Sequence, residues 1–123
     1  MSANGYLQAA AAQLQSAAQA VKQEADHMRA ELANYERQAT HEIDSKSTNV
    51  KARLAEMTAI SDQNAAASLN HVVQGLQGDI DGKKREMQQK KAETEAAIKG
   101  KESAAQGLQS QAQGLQSQAA SFK

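Results

Sequence analysis

The sequence predicts an all-α protein, a long antiparallel helical hairpin, and three observations point there. First, the 123 residues include no proline, and Ala, Gln, Lys, Glu, Leu and Met, which lose little freedom in a helix, dominate the chain. Second, the larger apolar residues recur every seven positions, the spacing of a two-stranded coiled-coil seam. Third, the two halves match in side-chain size when they are laid against each other in opposite directions. One domain fits this length, and the core it can build is thin. Of 49 residues counted as hydrophobic, 26 are Ala, while Leu, Ile, Val and Phe together number 17.

The first arm is expected over about residues 6–60. Leu7, Leu14, Val21, Met28 and Tyr35 fall seven apart, with Ala11, Ala18, Ala25 and Leu32 between them at the four-residue step. One additional residue precedes Ile43, after which Val50 and Met57 resume the interval with Leu54 as their companion. Such a skip relaxes a supercoil locally. The turn is placed at about residues 61–68, because Ser61, Asp62, Gln63 and Asn64 are residue types that favour caps and turns. The second arm, about 69–122, carries Val73, Ile80, Met87, Leu108, Leu115 and Phe122 in one heptad phase, with Thr94 and Lys101 as its polar members.

In the expected register the position numbers of facing residues sum to 129 or 130. Leu7 meets Phe122, Leu14 meets Leu115, Val21 meets Leu108, Ile43 meets Met87, Val50 meets Ile80 and Met57 meets Val73. Leu32 faces Ile98, Leu54 faces Leu76, and Ala11, Ala18 and Ala25 face Ala119, Ala112 and Ala105. Alanine at alternate positions lets two helices approach near the short end of the ~8–10 Å interaxial range. Arms of roughly 55 residues make a rod of about 80 Å.

Two alternative arrangements use the same pattern. Gly75, Gly78 and Gly82 surround Asp79-Ile80-Asp81 and have the composition of a turn. A tip there requires a further break near residues 44–49 and produces a three-helix bundle. An extended or swapped antiparallel dimer makes between chains the contacts that the hairpin makes within one.

Acidic and basic residues balance at 14 each, so no net field draws nucleic acid or an anionic membrane. Their distribution is uneven: residues 1–21 and 103–122 carry no charged side chain and are rich in Ala, Gln and Ser. No stretch approaches the ~20 apolar residues of a membrane span. Polar residues interrupt the N-terminal segment, so no cleaved signal is expected. A soluble protein follows, cytoplasmic or exported without a cleaved leader.

Catalytic and cofactor-binding residues are not expected. There is no Cys, the serines are dispersed, and no glycine-rich strand-to-helix motif is present. His27 and His41 lie 14 positions apart, about 21 Å along a helix, too far to share a metal. The basic group Lys83-Lys84-Arg85 with Lys90 and Lys91 has Glu42 and Asp44 opposite it, and nucleic acid is not the expected partner. The segment Gly107–Ala112 recurs unchanged as Gly114–Ala119, and Gly100 extends this series to three glycines at heptad spacing. Gly100, Gly107 and Gly114 therefore form a candidate stripe for close helix packing.

In size, helicity and its uncharged Ala/Gln/Ser-rich start the chain resembles secreted WXG-type proteins and needle-forming type III secretion subunits. It lacks their Trp-x-Gly and proline-containing turns, and membership is not assigned. The segment Lys90–Ala97 resembles late-embryogenesis-abundant sequences in composition. The expected function is a structural or assembly protein that associates with itself through its uncharged terminal end. The alternatives are a coiled-coil adaptor or chaperone-like module for another helical protein, and a conditionally helical stress-protective protein.

Overall fold

The computed structural model describes residues 2–122 and is an all-α hairpin of two long helices, α1 (Ala3–Thr58) and α2 (Gln63–Ser121). Ser2 caps α1, its Oγ accepting the Gly5 N–H at 3.1 Å. Helix α1 tightens at its end, where the Ala59 and Ile60 N–H groups donate to the carbonyls of Glu56 and Met57. Asp62 then starts α2, its carboxylate accepting the Asn64 N–H at 3.0 Å. The connection is thus residues 59–62, shorter than the expected 61–68, because the polar cluster serves as a cap and Gln63 onward is already helical.

Residues 44–49 and the segment holding Gly75, Gly78 and Gly82 are both helical, so the three-helix arrangement is excluded within the chain. Neighbouring straight-chain residues keep that segment in α2, and none of its glycines adopts a positive φ.

The chain divides into two compact units: residues 1–31 with 93–123, and residues 32–92. In the first, Ala11, Ala18, Ala25, Ala105, Ala112 and Ala119 are enclosed, each at 1% exposure or less. The larger Leu7, Leu14, Val21, Met28, Leu108 and Leu115 are only half-buried. Methyl groups occupy the line of closest approach, and longer side chains lap over its margins. In the second unit, Ile43, Val50, Val73 and Ile80 form the core, with Met57, Leu76 and Met87 packed against it. Leu32 and Ile98 are also buried.

Two expected seam residues lie elsewhere. Leu54 is 44% exposed, and half-buried Arg53 takes the position beside Val50 and Met57. The reason is geometric. On antiparallel helices, residues three after the main heptad position on one arm lie beside residues three after it on the other. Leu76, three after Val73, therefore calls for Arg53 on α1, and Leu54 points to the opposite flank. Phe122 is 53% exposed because it follows the last residue of α2, where facing helix is running out.

Candidate functional site

The uncharged unit is built from both arms. Its Ala-lined contact holds the helices together, and Asn4 fastens its end: the side-chain amide donates to the carbonyl of Ala119 at 2.5 Å and to that of Phe122 at 3.4 Å. This adds a cross-arm donor at the end of α2, where the Ala119 carbonyl also accepts the Phe122 N–H at 3.1 Å. Asn4 was not among the expected site residues; its only signal is an Asn among Ala, Gln and Gly, opposite a helix C-terminus.

Cross-arm ion pairs begin where the charged sequence begins. Lys101 Nζ meets Glu24 Oε2 at 2.7 Å, and Arg29 bridges Glu102 and Asp26. Lys101, one of the polar seam members, thus lays its stem along the contact and carries its ammonium out to a carboxylate. Exposed pairs of this kind fix register and orientation more than they stabilise, at about 0–1 kcal/mol each.

Between these pairs and the chain ends, a groove of about 350 Å³ runs between the arms, lined by Gln15, Gln19, Gln109 and Gln113. Gln109 is half-buried and the other three are exposed. The glycine stripe lies apart from any close contact. Gly100, Gly107 and Gly114 are exposed, and a Cβ added to any of them would meet nothing within 4 Å. Close packing within the chain therefore uses alanines, and the glycines have open space beside them. Among the described residues, Tyr6, 64% exposed, is the other large apolar group on the surface of this unit besides Phe122.

The basic segment lies in the other unit, where two of its cations, Lys83 and Lys90, contact α1. Lys83 Nζ is 3.2 Å from Glu42 Oε2 and 3.9 Å from Glu86, and Lys46 reaches Glu42 at 3.5 Å. The Lys83 hydrogen bond holds the Glu42 carboxyl below its ordinary range, and Glu42 raises Lys83 in return. Lys90 Nζ sits 4.4 Å from the centre of the Tyr35 ring, with Lys83 at 5.8 Å, a cation–π arrangement. Lys83 and Lys90 are thus tied to a carboxylate and an aromatic face contributed by α1.

Among the described residues, no three His, Cys, Asp or Glu side chains gather in a way that could hold a metal ion. His27 pairs with Glu31 one turn along the outside of α1, at 2.8 Å. No helix among the described residues is long and apolar enough to cross a membrane. Comparison with protein families, characterised proteins and solved structures finds no significant match to the chain.

Proposed function

We propose that the chain is a non-enzymatic assembly protein, a two-stranded coiled-coil hairpin that associates with further copies of itself through its uncharged Ala/Gln/Ser-rich terminal unit. One observation carries this reading. The neutral segments of both arms lie side by side in one unit, giving a surface of small and amide side chains whose burial desolvates no charge. A two-helix contact buries only a narrow strip of each helix, and Leu7, Leu14, Val21, Leu108 and Leu115 remain half-buried there. A second layer of helices covers them further, and apolar burial then favours association.

Sedimentation of the full chain over a range of concentrations tests the proposal. Species larger than the monomer, growing with concentration, are expected. A monomer at every concentration would reject self-association and favour an adaptor that binds a different helical partner.

A further inference from the structure

We propose that the groove lined by Gln15, Gln19, Gln109 and Gln113 is the contact between two copies of the chain, related by a two-fold axis that sets α1 antiparallel on the partner's α1 and α2 antiparallel on the partner's α2. This inference rests on the self-association reading and adds to it the face, the occupant and the orientation.

The argument begins with the side chains. Each carboxamide carries two N–H donors and an acceptor, so a surface of glutamines is complementary to itself, as carboxylates or ammoniums alone are not. Among the described residues, none of these four amides is hydrogen-bonded to another protein group, which leaves their capacity to water or to a partner.

Spacing then selects the orientation. Gln15 and Gln19 are one helical turn apart, and so are Gln109 and Gln113. Both pairs line the same groove, so a single axis crossing the helices at that level places Gln15 against the partner's Gln19 and Gln109 against the partner's Gln113. Each glutamine then exchanges hydrogen bonds with its own pair mate on the other copy.

Charge and area agree with this. Residues 3–21 and 103–121 carry no charged side chain, and about this axis the flanking Lys22 and Glu102 come opposite the partner's uncharged Ala12 and Ala120. About this axis neutral helix lies on neutral helix over residues 13–21 of α1 and 103–119 of α2, about 13 and 25 Å at ~1.5 Å per residue, and each helix is about 10 Å wide. The neutral face is therefore about 400 Å² per copy, roughly 800 Å² in total, below the ~1,000 Å² of a stable specific contact and in the range of weak, transient ones. A reversible dimer, formed at elevated concentration, fits that area.

The test uses full-length chains and sedimentation velocity, with circular dichroism to show that each variant keeps its helices. Two double variants are made on α1 alone, Gln15→Glu with Gln19→Glu, and Gln15→Lys with Gln19→Lys. Each variant by itself is expected to dimerise about tenfold or more weakly than the parent, because like charges meet across the axis. An equimolar mixture is expected to recover the association, and added salt to weaken that recovery. Variants that separately dimerise like the parent would show the groove is not the contact, while self-association stood. Weakened variants whose mixture shows no recovery would overturn the orientation, since α1 then faces something other than the partner's α1. A parent chain that stays monomeric would remove the reading beneath the inference.

Discussion

At the scale of single residues, size matters more than hydrophobicity in the uncharged unit. Ala112 has no exposed surface, whereas Leu108 and Leu115 on either side of it keep part of theirs in water. Enlarging the alanine therefore has to separate the helices. Ala112→Leu is expected to destabilise the fold by about 1–3 kcal/mol through overpacking. Leu54→Ala, which removes an exposed side chain, is expected to stay within about 0.5 kcal/mol of the parent. The midpoint of urea unfolding measures both. A variant at Ala112 that unfolds no earlier than the one at Leu54 contradicts the close Ala-mediated approach.

At the scale of elements, α2 carries glycines that its own packing does not require. Gly107 and Gly114 are helical, have no positive φ, and have open space where a Cβ would stand. Gly107→Ala and Gly114→Ala are each expected to stabilise α2 by up to about 1 kcal/mol, read as a higher melting temperature of the monomer in dilute solution. Lower stability of the monomer from either substitution would show that the space beside the stripe is not open within the hairpin. The helices themselves were legible in the sequence, because the heptad spacing and the missing proline admit little else. The capping chemistry of Ser61 to Asn64 also marked the turn, although Asp62 uses so little chain that the loop is shorter than the cluster suggested. The Leu54 position was not legible from composition, since after the skip before Ile43 a companion three or four residues on is equally available. Only the matching face of α2, fixed by Leu76, decides for Arg53. That choice leaves the Arg53 Nε buried without a hydrogen-bond partner, a polar cost that apolarity alone would never select. The glutamine groove escaped the sequence reading for a related reason. Gln15, Gln19, Gln109 and Gln113 are ordinary outward-facing helix residues until the two arms are brought together.

At the scale of the whole molecule, the contrast between neutral and charged parts separates two ways in which this chain could associate. Formal net charge is zero, so there is no overall repulsion between copies to overcome. Association through Glu and Lys side chains would be screened as salt rises, because exposed charges lose most of their influence beyond about 8–10 Å at moderate ionic strength. Contact through amides, alanines and half-buried leucines has no such dependence. The melting temperature of the full chain is therefore expected to rise with protein concentration, since self-association binds the folded state and not the unfolded one. A tenfold increase in concentration above the dimer dissociation constant adds stabilisation of about 1.4 kcal/mol per dimer, enough to move the transition by a few degrees. That shift is expected to survive added sodium chloride. A concentration effect that disappears with salt would assign the contact to the charged residues between Lys22 and Glu102, and a melting temperature independent of concentration would leave the neutral unit without a second copy to cover it.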